Sequence, residues 1–144
     1  MPQISAVTIN DGTATPVAYT FSPIGKDAKG VFWFTQTTPN PANTLGAYKL
    51  GYSQTPVMGS GKQLNGNVRA VYTLHMPTLE TVGTADNGIT PPPTVAYKEV
   101  ARIELEVAER SALAERKNLR VFASNLMASA MVTANIDTLQ PSYS

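Results

Sequence analysis

The sequence predicts an α+β fold in which an N-terminal β-hairpin and an antiparallel sheet are followed by two C-terminal helices on one face. Residues 94–107 form an extended segment whose apolar and charged side chains alternate from Val100 onward, the period of a strand with one dry face and one wet face. Beyond Ser111 the period changes. Leu119, Phe122, Ala123, Leu126, Met127, Ala130 and Met131 recur at spacings of three and four, while Arg116, Lys117, Arg120, Ser124 and Ser129 mostly take the other side of a helix. Strand signals all precede helix signals, which segregates the helices to one face of the sheet.

The elements follow in order. Residues 3–9 and 17–21 are β-favouring runs around Asn10-Asp11-Gly12, a turn signal because Asp and Gly accept the positive φ of tight hairpins. Residues 22–30, with Pro23, Gly25 and Gly30, read as loop, and residues 31–36 as a third strand apolar enough to be buried. Pro39 and Pro41 exclude a regular helix over residues 37–46. Residues 47–55 alternate again, with Tyr48, Leu50 and Tyr52 opposite Lys49, Gly51, Ser53 and Thr55. After a Gly-rich connection, residues 67–76 place Ala70, Tyr72 and Leu74 opposite Arg69, Val71, Thr73 and His75. Residues 77–93 form a long loop with Gly83, Asn87-Gly88 and three consecutive prolines, and loops of that length in compact domains are functional or disordered. Ser111 is the expected N-cap of the long helix, with Glu115 complementing its dipole, and a short second helix over residues 134–139 is capped by Thr133 or nearby.

At 144 residues the chain reads as one domain, residues 1–144, of a size where oligomerisation often adds stability. Its parts are the hairpin (3–21), the sheet strands (31–108), the long loop (77–93) and the helices (111–139). One helix of about five turns and one of two cannot cover five or six strands, so a second copy that lays its helices across the neighbour is expected. The formal charge is only +1, but it is unevenly spread: residues 28–79 carry Lys29, Lys49, Lys62 and Arg69 and no Asp or Glu. With no cysteine there is neither a disulfide framework nor a thiolate metal site. The sequence contains no signal peptide and no membrane-spanning run, and a soluble protein born in the cytoplasm is expected.

Catalytic chemistry finds little support. Gly59-Ser60-Gly61-Lys62 invites a phosphate-loop reading, but Pro56 and Gln63 stand where the pattern needs Gly and Ser or Thr. His75 is the single histidine, which excludes a His cluster for zinc. Glu99, Glu104, Glu106 and Glu109 interleave with Lys98, Arg102 and Arg110 and read as a solvated strand face rather than an acid/base pair. No catalytic residue, metal or cofactor is expected. The acid-free face of the fourth and fifth strands is the better lead, because Lys49, Ser53, Thr55, Arg69 and Thr73 mix positive charge with small hydroxyls, as phosphate and base contacts require.

Four stretches carry a resemblance over essentially the full length: Met1-Pro-Gln-Ile-Ser-Ala with the Asn10-Asp11-Gly12 turn, Met76-Pro-Thr-Leu-Glu80, Pro91-Pro-Pro-Thr-Val-Ala-Tyr97, and Glu109-Arg-Ser-Ala-Leu-Ala-Glu-Arg-Lys117. With the order of elements, they make the chain resemble the coat proteins of single-stranded RNA bacteriophages, the levivirus-like group. The resemblance implies a homodimer with a continuous sheet and interlocked helices, its interface holding Leu119, Phe122, Ala123, Leu126, Met127 and Ala130. Many dimers would close an icosahedral shell around genomic RNA, giving a virion capsid assembled in the bacterial host cytoplasm, with no membrane partner. It further implies an RNA side carrying Lys49, Gly51, Ser53, Thr55, Arg69, Val71 and Thr73, joined by Lys98 and Arg102 unless a bulge inverts the last strand. In relatives that face also binds an RNA hairpin, making the coat a translational repressor; Gly51 and Val71 lack the polar groups some relatives use there. Thr81, Gly83, Asn87, Gly88, Pro91 and Pro92 fall in the loop that meets its copies between dimers. The competing reading is a free-standing dimeric, sheet-type RNA-binding regulator that forms no shell.

Overall fold

The computed structural model describes residues 4–55 and 66–141. Gln3 and the Gly59-Ser60-Gly61-Lys62 segment lie outside the described residues. The elements are β1 (Val7–Asn10), β2 (Ala18–Lys26), β3 (Phe32–Thr38), β4 (Lys49–Gln54), β5 (Asn67–Leu79), β6 (Val95–Ala108), α1 (Leu113–Met127) and α2 (Ala130–Asp137). The strands form one six-stranded sheet in chain order, and the helices follow it, so the fold is α+β as the sequence predicts. Two compact units share the chain: Met1–Thr55 with Ala70–Glu104, and Pro56–Arg69 with Leu105–Ser144.

In the first unit the pleat sorts side chains by chemistry. Register pairs Val7 with Phe21 and Ile9 with Tyr19, Phe34 with Leu50, and Leu50 with Leu74, so these residues share an apolar face. Aromatic rings ladder across that face. Tyr52 stacks on Tyr72 at 5.4 Å and Tyr19 on Tyr48 at 5.5 Å, an arrangement stronger than area burial alone. Phe21, Phe34 and Ala47 are buried. Gln36 is buried as well, and its amide is satisfied at both ends: Nε2 donates to the Pro39 carbonyl and Oε1 accepts from the Tyr48 amide.

Three differences from the sequence reading have physical causes. The hairpin does not turn tightly on Asn10-Asp11-Gly12, and Gly12 is not among the glycines at positive φ. The Asp11 carboxylate instead closes a longer loop, accepting from the Thr13 hydroxyl and from the amides of Thr13 and Val17. Residues 22–26 are strand rather than loop, because register shifts at Thr20/Phe21 and Pro23/Gly25 absorb the irregularity that Pro23 brings. β5 runs on to Leu79, and the Glu80 amide donates to the Thr94 carbonyl while the Thr94 hydroxyl donates to the Glu80 carboxylate, which narrows the long loop to the residues between them.

In the second unit Ser111 is not the N-cap. Its hydroxyl donates to the Ala108 carbonyl, and α1 starts one residue later from Ala112, whose amide donates to the Glu115 carboxylate at 2.8 Å. The long helix also stops earlier than Met131. Ser129 caps α2, its Oγ accepting from the Val132 amide, while its own amide donates to the Leu126 carbonyl. Ser129 takes the N-cap expected of Thr133 and draws the second helix start from 134 back to Ala130. The Thr133 hydroxyl merely donates back to the Ser129 carbonyl from inside that helix. Glu109, expected to be solvated, is buried, and its backbone amide and carboxylate both bond to Gly66.

Candidate functional site

The second face of the first unit's sheet carries the groups with recognition chemistry. Cross-strand register puts Trp33 opposite Gly51, Thr35 opposite Lys49, Lys49 opposite His75, Gly51 opposite Thr73, and Ser53 opposite Val71. All of these side chains therefore project away from the tyrosine ladder. Thr8 and Thr20 share a hydrogen bond farther along, as do Ser22 and Thr37, continuing the hydroxyl-rich surface. Ala101 and Ile103 line the apolar side with Leu50 and Leu74. By alternation Lys98, Val100 and Arg102 then lie on the Lys49 side, and Lys98 does line a cavity with Lys49 and His75.

Of the residues expected to touch RNA, the structure brings together Lys49, Gly51, Ser53, Val71, Thr73, Lys98 and Arg102 on one face. Thr55 lies just past the end of β4 and is exposed. Arg69 is on β5 two residues before Val71, in the part of the strand that belongs to the second unit. Arg102 pairs with Glu104 at 3.5 Å, which offsets its charge. Gly51 has a structural reason. A Cβ there would meet the Trp33 ring at 3.1 Å and Val31 at 3.3 Å, so the glycine makes room for the indole.

Trp33 is the residue that sequence reasoning misplaced by burying the whole third strand. It is half-buried on the polar face, and the Asp27 carboxylate fixes its orientation by accepting from the indole Nε1 at 2.9 Å. The same carboxylate accepts from the amides of Lys29 and Val31, and these donors, the indole foremost, hold it below the usual aspartate range. His75 lies 5.7 Å from the indole, ring to ring. Partial burial, then the charges of Lys98 and Lys49, push the imidazole below its ordinary value, so it favours the neutral form.

The glutamates of β6 and Glu109 just beyond it do not converge on a catalytic pair. Glu104 pairs with Arg102, Glu106 accepts from the Asn67 amide group, and Glu109 is committed to Gly66. Thr81, Gly83, Asn87, Gly88, Pro91 and Pro92 are exposed in the long loop, whose tip turns through Gly88 at φ +76° with the Ile89 amide donating to the Asn87 side chain.

The expected dimer residues lie in the second unit. Leu119, Phe122, Ala123, Leu126 and Met127 are on α1, and Ala130 opens α2 instead of continuing the same stripe. Phe122 is 73% exposed, Met127 57% and Leu126 52%, a stripe with no cover in the isolated chain.

Comparison with known proteins places these features in context. The family described as "Levivirus coat protein" matches residues 2–143. A solved virus-like particle of bacteriophage ESE058 is 31% identical, with a TM-score of 0.84 over 99% of this chain and 100% of that one. A virus-like particle of bacteriophage NT-214 is 23% identical, with a TM-score of 0.80 over 99% of this chain and 100% of that one. The bacteriophage GA protein capsid is 18% identical, with a TM-score of 0.64 over 96% of each chain. At the last two identities the likeness is one of fold. The comparison with curated proteins gives no match.

Proposed function

This chain belongs to the levivirus coat proteins, which are structural capsid proteins and not enzymes, and we propose that it dimerises, closes into an icosahedral shell and packages single-stranded RNA. The observation that carries this reading is one sheet with two unlike faces. On one side Ile4, Val7, Ile9, Leu50, Tyr72, Leu74 and Ile103 surround an open apolar hollow of about 650 Å³. Uncovered apolar area of that kind marks an association surface, and the exposed stripe on α1 of a second copy has matching chemistry. On the other side Lys49 and Lys98 stand among hydroxyls, suited to the phosphates of a strand inside a shell. A hairpin-specific repressor role would draw on the same face, with Ser53 and Thr73 supplying hydrogen bonds where Gly51 and Val71 cannot. Assembly in the host cytoplasm follows, with the virion as final location.

Expression of the chain alone tests this. Sedimentation and electron microscopy should find closed particles of megadalton mass from which host RNA can be extracted. A discrete RNA-binding dimer under every condition would favour a free-standing regulator instead.

A further inference from the structure

The apolar hollow of the first unit is not apolar to its end. Ile9 and Leu74, which line it, also line an adjoining cavity of about 460 Å³ together with Tyr19, Phe21, Tyr48, Met76 and the hairpin loop at Asp11. Two carboxylates edge this end. Asp11 belongs to the loop, and Glu99 lies two residues before Ala101, hence on the same face of β6. Partial burial and the neighbouring Tyr19, then Glu99 and Asp11, push the Tyr48 phenol above its ordinary value, so both acids stand close to its ring. Neither acid has an ion-pair partner among the described residues, and the hydrogen bonds that Asp11 accepts fall on Oδ1, leaving Oδ2 open among those residues. A negative corner on an apolar association surface is costly to cover unless the covering element brings positive charge.

The long helix carries that charge. Arg116, Arg120, Ala123 and Met127 follow one another on α1 at helical spacings of four, three and four, so Arg120 borders the apolar stripe. Arg116 lines a small hollow with Glu106 and Glu115 of its own unit, whereas Arg120 has no ion-pair partner among the described residues. We infer that Arg120 of one copy enters the Tyr48 corner of a second copy and pairs there with Glu99 and Asp11, fixing the direction in which α1 crosses the sheet. The inference rests on the dimer reading and adds to it the contact that sets orientation. A guanidinium suits the corner: its plane packs on an aromatic ring, its fork meets carboxylates, and its stem covers apolar surface. Twofold symmetry gives each dimer two such contacts.

Charge reversal tests this. Glu99→Arg alone, or Arg120→Glu alone, sets like charges together at both contacts, and each should weaken dimerisation about 100-fold, roughly tenfold per contact. Co-expression of the two variants behaves differently. Their heterodimer has opposite charges at both contacts, one native and one reversed, while within either chain the charges stay alike. The two chains are given tags of different mass, and the soluble dimers are weighed by native mass spectrometry. Heterodimers should exceed homodimers at least about tenfold, against parity for random pairing. The double variant Glu99→Arg/Arg120→Glu should dimerise like the parent. Random pairing, or single variants as dimeric as the parent, overturns the contact and leaves dimerisation standing. A monomeric parent overturns both. Recovery in the double variant without a heterodimer preference also overturns the contact, by placing the pair within one chain. Should a single variant fail to fold alone, the co-expressed pair still decides, because heterodimers support the contact and their absence overturns it.

Discussion

A Cβ at position 51 would stand 3.1 Å from Cζ3 and 3.2 Å from Cη2 of Trp33, closer than the ring can accept without moving. Filling a strand glycine normally gains about 0.5–1 kcal/mol by restricting the unfolded chain. Overpacking costs about 1–3 kcal/mol, so steric conflict should win here. Gly51→Val is therefore expected to lower the melting temperature and, by tilting the indole off Asp27, to shift its emission; an unshifted spectrum would mean the ring does not rest on Gly51. His75 gives a second residue-level prediction. Its folded value is depressed below 6.5 by partial burial and then by Lys98 and Lys49, so the unfolded chain binds the proton more readily. Stability should fall as pH drops below 6.5 and level off once pH is below the depressed folded value. Asp11 and Asp27 contribute in a separate, more acidic window. Their lowered values give stability that is present above 3.8 and lost as pH falls through the folded values. Melting His75→Gln beside the parent across about pH 2–8 should remove the first decline and keep the second. The position of Trp33 is not legible in the sequence because Val31-Phe-Trp-Phe has no polar alternation, so nothing marks which ring faces out. The available signal was indirect: a glycine interrupting β4, as strand glycines do where something approaches closely.

At the scale of elements, legibility followed how far one period ran undisturbed. β4, β5 and β6 show clean alternation and match the sequence reading within a few residues, since each has one apolar and one polar face. β2 was cut short because Pro23 and Gly25 look like turn residues; bulges that a sequence does not display keep them in the strand. The sequence reading puts the break between the two helices too late for a related reason. Their apolar spacing continues from Leu126 to Met131 across a break that is set by a single hydroxyl, and periodicity does not register a cap. The Ser129 cap accepts from Val132 at a long 3.5 Å, so it belongs at the weak end of the N-cap range. Ser129→Ala should accordingly cost about 0.5–1 kcal/mol in chemical denaturation, with the loss of protection confined to the first-turn amides of α2 in hydrogen exchange. Unchanged exchange at Met131 and Val132 would show that the cap does not hold that turn.

At the scale of the whole molecule, the decisive feature is apolar surface that the single chain cannot cover. The sheet of the first unit leaves Ile4, Val7, Ile9, Tyr72 and Ile103 exposed, and α1 of the second leaves Phe122, Leu126 and Met127 exposed. Hydrophobic area of this extent drives association, and a twofold arrangement lets the same two surfaces satisfy each other twice. If α1 of one copy lies on the sheet of another, Leu126→Asp puts an unpaired carboxylate in that contact at a cost of several kcal/mol, enough to abolish a small dimer. The control is Lys117→Asp. Nine positions away is about two and a half helical turns, so Lys117 points to the opposite side of α1, and its replacement changes charge without entering the contact. Sedimentation of the two variants should give non-assembling, smaller species for Leu126→Asp and parent-sized particles for Lys117→Asp. Should Leu126→Asp also build full particles, the apolar stripe of α1 would not be the dimer surface, and the uncovered sheet face would need a different partner.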